Sequence, residues 1–433
     1  ICPVYKTPIK DADDALNQML QKKGYVHEDS LIEVLEAQGK TVFTVADALT
    51  PEQKKEQTLS AMARGEEVIF QALLEVTPFK GFADFLIKVP GASKWGDYHY
   101  EVWDTKLSRQ VKAKFLLQLC CYADMLGHIQ GVRPATMIVV LGDMTQASYR
   151  VDDYLFYYMS VKQAFLTAQL NFDENTQIDP ADYTDWGHWS EQAKAILLER
   201  DHLFQVATIT KNQIKKLNNA DIFTLEALAS SPLVIIPSLD NTIYQRLKAQ
   251  ADIQLATRNS LEQKPCFKIR LPEQGKLQGL AMLPPHSEQD VFFDIEGFPL
   301  DEGGLEYLWG NTYFEANGST AFKDFWAHDR TQEKQSFKEF IRWIYARWQQ
   351  DPQMHVYHYA NYEIAAIRKL MGRYGVCEHE VDELLRNEVF VDLYKLVKGG
   401  VLLGEPRYSI KNVEHLYRGA RQTEVGNGGD SVV

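Results

Sequence analysis

Three observations predict an α/β protein of more than one domain. Helix-period and strand-period segments alternate through residues 61–165, an apolar strand at 290–297 ends in paired acids, and 433 residues exceed what one hydrophobic core usually fills. A hydrophobic content of 45% supplies enough side chains for such cores. No stretch approaches 18 uninterrupted apolar residues and no charged-then-apolar leader opens the chain, so neither membrane insertion nor secretion is indicated and a cytoplasmic location is expected. Ile1 at the start and the loop-like Gly428-Gly429-Asp430-Ser431-Val432-Val433 at the end read as positions inside a longer protein.

Residues 1–60 have a helical pattern that includes a charged connector at Thr50-Pro51-Glu52-Gln53-Lys54-Lys55. A helix over 61–75 is expected next, then strands near 82–89 and 98–107, a helix at 111–128, a strand at 135–142 and a helix from 152. From Asn171 to about Trp186 the composition turns to Asp, Asn, Thr and Pro, which marks a linker or long surface loop. A mostly helical stretch over 187–262 precedes the strand at 290–297, so domains are expected at 1–170, 187–262 and 280–433.

The chemistry concentrates on the strand Tyr100-Glu101-Val102-Trp103-Asp104-Thr105-Lys106. Side chains alternate along a strand, so Asp104 and Lys106 project together while Trp103 and Thr105 point the other way. Asp84 ends a Gly81-Phe82-Ala83 turn ahead of the apolar run Phe85-Leu86-Ile87, and Gln118 and Tyr122 sit one turn apart on the following helix. Two acids can hold a divalent cation through hard oxygen ligands, and the cation with a lysine can activate water and stabilise charge on a phosphate. The competing reading is plain: a D-x-K triplet on a strand is usually a surface charge pair.

The net charge of −13 argues against a protein that coats nucleic acid non-specifically, but only a local groove need be positive. Arg109, Lys112 and Lys114, just after the strand, are candidates for that groove or are simply a solvated helix start. Further along, Ile209–Leu217 and Ala220–Leu228 form two helical runs joined by Asn218-Asn219. They resemble a helix-hairpin-helix, whose turn offers backbone N–H groups to a phosphate, with Lys211, Lys215 and Lys216 as side-chain contacts and a plain packing pair as the alternative. The cysteines Cys2, Cys120, Cys121, Cys266 and Cys377 are odd in number and scattered, as for reduced thiols.

A second set of acids stands in the third segment. Asp290-Val291-Phe292-Phe293-Asp294-Ile295-Glu296-Gly297 puts Asp294 and Glu296 on one strand face. Met354 to Glu363 is a strand passing into a helix, and Phe390-Val391-Asp392-Leu393-Tyr394 is another short strand.

The order from Gly81 to Lys106 with Gln118 and Tyr122 resembles the RecB-like branch of the PD-(D/E)xK nucleases, a restriction-endonuclease-like fold. The Asp294-Ile295-Glu296-Gly297 run, His358 to Glu363 and Tyr408-Ser409-Ile410-Lys411-Asn412-Val413-Glu414 resemble a ribonuclease-H-like, DEDD-exonuclease domain, with Glu363 where an aspartate is usual and no final acid found before Val433. Together these resemble RecB-like nucleases that carry such a second domain, some fused ahead of a superfamily 1 helicase. The resemblance implies a Mg²⁺- or Mn²⁺-dependent deoxyribonuclease acting on DNA ends or single strands in repair or defence. It implies Asp84 and Asp104 as metal ligands, His27 completing the site from the helix opened by Gly24-Tyr25-Val26-His27-Glu28, Lys106 positioning water, and Gln118 and Tyr122 supporting the site and the strand. Relatives often bind an iron–sulfur cluster through four cysteines. Cys2 is available as a first ligand, but Asp185-Trp186-Gly187-His188-Trp189 has none, so no cluster is expected. The alternatives are a 3′→5′ exonuclease working through Asp294, Glu296 and Glu363, and an inactive DNA-binding or scaffold module of a helicase.

Overall fold

The computed structural model describes residue 11 and residues 15–173, 179–183, 185–262, 264–272, 274–298, 301 and 303–419. Contacts divide the chain into two units, one of residues 13–176 and one of residues 177–432 together with 1–12. No described helix is long and apolar enough to cross a membrane.

The first unit runs α1 (Ala15–Ala37), β1 (Val42–Thr44), α2 (Pro51–Arg64), β2 (Val68–Val76), β3 (Phe79–Ser93), β4 (Gly96–Thr105), α3 (Ala113–Gln130), β5 (Thr136–Val140), β6 (Gln146–Arg150) and α4 (Asp152–Leu170). Its six strands form one sheet in sequence order, with β1–β2 and β4–β5 parallel and the other neighbours antiparallel. Leu119, Ala123 and Leu126 of α3 share a core with Val102, Met137 and Val139 of the sheet. That packing holds one face of α3 against the strands that carry Asp84 and Asp104.

Three sequence expectations fail here, each for a local reason. The Thr50–Lys55 connector is the start of α2: the Thr50 side chain accepts from the Gln53 backbone, the Gln53 side chain accepts in return, and Pro51 occupies the first turn. The helix expected over 61–75 therefore ends at Arg64, where Gly65 turns left-handed at φ +76°, and Val68–Val76 is a strand. Gly81-Phe82-Ala83 is no turn either; it lies inside β3, and the turn falls at Thr77-Pro78.

The second unit contains α5 (Ser190–Glu199), α6 (Lys211–Asn218), α7 (Leu225–Ser230), α8 (Asn241–Asn259), β7 (Phe267–Ile269), β8 (Val291–Phe298), β9 (Leu305–Phe314), β10 (Thr320–Trp326), α9 (Arg330–Gln350), β11 (Val356–His358), α10 (Tyr362–Tyr374), α11 (Glu378–Arg386), β12 (Phe390–Asp392), α12 (Leu393–Gly400), β13 (Val401–Leu403) and α13 (Ile410–Val413). Five strands make a mixed sheet in the order β10-β9-β8-β11-β12, antiparallel through β10-β9-β8 and parallel through β8-β11-β12. Phe293, Ile295 and Trp309 pack on Phe337, Phe340 and Ile344 of α9, which commits that sheet face to the core and leaves Asp294 on the other.

The helices α6–α8 have their own core of Leu203, Leu217, Leu228, Tyr244 and Leu247. Gln250 of α8 donates to the Leu403 carbonyl at 2.7 Å, and the Tyr408 hydroxyl donates to Gln250 Oε1 at 2.7 Å, so this helical stretch is bound to the strand region that follows it. The hairpin between α6 and α7 corrects a further expectation. Its amides are consumed within the turn: Asn219, Ala220, Asp221 and Ile222 donate to Lys215, Leu217, Asn218 and Leu217 carbonyls at 2.9–3.1 Å. The left-handed residue is Asp221 at φ +60°, not either asparagine. A turn whose N–H groups already have partners has none of these to offer a phosphate.

Candidate functional site

Asp84 and Asp104 come together. They lie on neighbouring antiparallel strands, with the β3–β4 register pairing Phe85 with Trp103. Asp84 Oδ2 accepts from the Thr105 backbone N–H at 2.7 Å and from the Thr105 hydroxyl at 2.9 Å. Thr105, expected to point away, therefore holds Asp84 in place, because the strand ends there and frees it from strict alternation. Lys106 shares the pocket with Asp104 as predicted: its ammonium forms an ion pair with Asp104 Oδ2 and lies 5.5 Å from the Phe115 ring centre. The Lys106 backbone N–H donates to Val140 at 2.9 Å, which fastens the residue to the sheet.

Asp104 is fully buried; the Lys106 ammonium meets Oδ2, and Oδ1 has no hydrogen-bond partner among the described residues. Burial, then the charge of Asp84, push its carboxyl up to about 7 despite the Lys106 ammonium. A second carboxyl behaves alike. Glu28 of α1 is pushed up to about 7 by burial and by Asp84, with smaller contributions from Asp29 and Asp104. Gln71 Nε2 donates to Glu28 at 2.8 Å. Gln71 itself sits at φ +56°, where the β2–β3 ladder passes from Phe70–Phe85 to Ala72–Ala83 and leaves out the pair at Gln71 and Asp84. Strained backbone of this kind collects at functional sites.

His27 is buried on the same helix, and its Nε2 has no partner among the described residues. Its neighbour Glu28, not singled out from the sequence, is the α1 group whose charge reaches Asp84 and Asp104. Gly24-Tyr25-Val26-His27-Glu28 does not open a helix: it lies in the middle of α1, where Gly24 continues the turn and Glu28 stands next to His27.

Gln118 and Tyr122 bind the strand from α3. Gln118 Nε2 donates to the Tyr122 hydroxyl at 3.3 Å, and that hydroxyl donates to the Phe82 carbonyl at 2.6 Å. Gly81 is required for this approach, because a Cβ there would stand 2.7 Å from Tyr122 Cε1 and 3.0 Å from its hydroxyl. Gly81→Ala is expected to displace Tyr122 and lower stability by roughly 1–3 kcal/mol, read as a fall in urea midpoint at unchanged slope.

Among the described residues, no group of three or more His, Cys, Asp or Glu is placed to hold a metal ion. Two neighbouring carboxylates, Asp84 and the buried Asp104 with its unpartnered Oδ1, nevertheless suit Mg²⁺ or Mn²⁺, which bind through one or two protein carboxylates and complete their shell with water and phosphate oxygens. Arg109, Lys112 and Lys114 are exposed beyond the strand, Lys112 at the start of α3 and Lys114 beside the Phe115 ring. Lys211 and Lys216 are engaged with the Asp182 and Ser238 carbonyls of their own chain, and Lys215 is exposed.

The second constellation also assembles. Desolvation, then the charges of Glu363 and Glu296, push the Asp294 carboxyl up to about 6. Glu363 is buried on α10 with Oε2 unpartnered, 3.4 Å from His358 Nδ1. Asp294, Glu296, Tyr357 and His358 line a cavity of about 490 Å³. The turn into α10 is strained, with Ala360 at φ +75° and its N–H donating to Asp392 Oδ1 at 3.0 Å. Asp392 also caps α12 through the Tyr394 N–H, so it has a structural task that its sequence does not announce.

Residues 291–433 match the model of the RNase_H_2 family, which belongs to the RNase H superfamily. That match supports a ribonuclease-H-like fold for the C-terminal part of the chain, and the superfamily generally hydrolyses nucleic acids with divalent metals. No curated protein and no solved structure matches the chain.

Proposed function

We propose that the protein is a divalent-metal-dependent nuclease that cleaves DNA strands at the Asp84–Asp104–Lys106 centre. The observation that carries this reading is Asp104, a fully buried carboxylate with the Lys106 ammonium on Oδ2, beside the second carboxylate of Asp84. Leaving a charge in that state costs stability unless a cation completes it. Asp84 and Asp104 would hold Mg²⁺ or Mn²⁺, with His27 Nε2 on the neighbouring helix as a further donor. The bound ion would supply positive charge to the phosphate under attack and acidity to water. Thr105 keeps Asp84 oriented, Lys106 places an ammonium where phosphate charge develops, and Tyr122 with Gln118 fixes β3 beneath them.

With Mn²⁺ and labelled single-stranded DNA, Lys106→Ala is expected to slow cleavage by about 10²- to 10³-fold. Digestion by Lys106→Ala and Asp84→Ala at the parental rate would refute the assignment.

A second reading places exonuclease chemistry at Asp294, Glu296 and Glu363, favoured by Asp294 and Glu296 lining one cavity and by the coupling of Asp294 to both glutamates. The two readings make opposite predictions. Asp294→Asn is expected to leave Mn²⁺-dependent cleavage within about twofold of the parent under the first reading, whereas a loss confined to Asp294→Asn, with Asp104→Asn active, would transfer the chemistry to the C-terminal domain.

A further inference from the structure

The helical stretch holds a cavity of about 310 Å³ that neither acidic centre uses. It is walled by Tyr183, Trp186 and Phe204, and its polar lining comes from His202, Lys211 and Arg407, with no carboxylate among the residues that form it. In a chain of net charge −13, two permanent cations line this cavity, with Asp179 close enough for its charge to act on His202.

Its walls are held in place. The Trp186 indole N–H donates to the Pro180 carbonyl at 2.9 Å, and the ring meets Phe204 edge-on at 5.8 Å and 85°. His202 Nδ1 accepts from the Phe204 backbone at 3.1 Å, and burial lowers the ring below its usual pKa, so it offers a neutral face. The cations retain donors. Lys211 donates to the Asp182 carbonyl at 3.1 Å with the rest of its ammonium at the exposed lining, where Arg407 is exposed too. Tyr183 is 51% exposed, an amphipathic ring left at the mouth.

We propose that this cavity binds one base of a single-stranded nucleic acid, stacked against Tyr183 and Trp186, with the adjoining phosphate held by Arg407 and Lys211. Rings accept any base through its π-face while guanidinium and ammonium groups take the backbone charge, the combination by which single strands are held without sequence preference. The volume is at the lower end for ligand pockets, which suits one nucleotide unit and not a duplex.

The test is binding of fluorescein-labelled oligothymidylate to the full chain in EDTA, read by anisotropy, so that cleavage at either acidic centre plays no part. The parent is expected to bind. Tyr183→Ala and Arg407→Ala should each weaken binding roughly 5- to 100-fold, and Tyr183→Phe should restore it. Arg407→Ala should also reduce the slope of log affinity against log salt by about 0.7. Parental affinity in both alanine variants, or no binding by the parent, would overturn the proposal. Because the assay contains no metal, either result leaves the nuclease reading to be judged by its own experiment.

Discussion

Asp104→Asn is expected to make the metal-free protein more stable while removing its activity. The buried carboxyl stands at about 7 in the folded chain against an ordinary value near 3.8. Between about pH 4 and pH 7 the folded state therefore keeps a proton that the unfolded chain has released, and stability falls as pH rises through that window. Above pH 7 the whole penalty is present. Replacing the acid by an amide removes it, and a gain of roughly 1–3 kcal/mol at pH 8 is expected, shrinking toward zero near pH 4. Lys106 loses its partner in the exchange, but its side chain is 23% exposed and can rehydrate.

The same substitution is expected to lower Mn²⁺-dependent cleavage by on the order of 10³-fold, since a ligand carboxylate that secures the metal contributes several kcal/mol to the transition state. In the parent, metal must displace the proton from Asp104, so Mn²⁺ affinity should fall about tenfold per unit below pH 7. Thermal melts at pH 5 and pH 8, with and without Mn²⁺, check all of this together. A variant less stable than the parent at pH 8, or one whose melting temperature Mn²⁺ still raises by the parental amount, would contradict the site.

Phe340→Ala should cost about 3–5 kcal/mol, the largest stability effect of any single change argued here. Phe340 is fully buried on α9, with ring centres of Phe293 at 4.4 Å, Trp309 at 5.0 Å and Phe325 at 6.2 Å. Removing it opens a hole between the five-stranded sheet and its covering helix, among large rings that cannot close it. Phe322 on β10 of the same sheet is 64% exposed, and Phe322→Ala should stay within about 0.5 kcal/mol. Urea unfolding followed by tryptophan fluorescence separates the two, and equal losses would mean that the exposed face of this sheet is covered in solution.

Local chemistry wrote much of this protein legibly. The period-two run at Asp294–Glu296 placed that pair on one strand face, because alternation is a property of the extended backbone, and Lys106, one residue past the end of β4, still meets Asp104. Gln118 and Tyr122 one turn apart were equally readable. The start of α2 was also written in plain residues, Thr50-Pro51 followed by Gln53, and was passed over because its charges resembled a connector.

Other features exist only once distant segments meet. Nothing near Glu28 foretells that Asp84 will stand close enough to raise its pKa, nor does the sequence around Gln71 announce a left-handed residue opposite that acid. Thr105 joins Asp84 across two strands, and the amides of the α6–α7 hairpin are consumed by a turn that composition alone leaves open. The physical reason is the same in each case. Which side of an element a residue occupies follows from backbone geometry over a few neighbours, whereas burial, desolvation and charge coupling depend on which other elements arrive, and these decide whether a carboxylate is a solvated surface group or a ligand awaiting a cation.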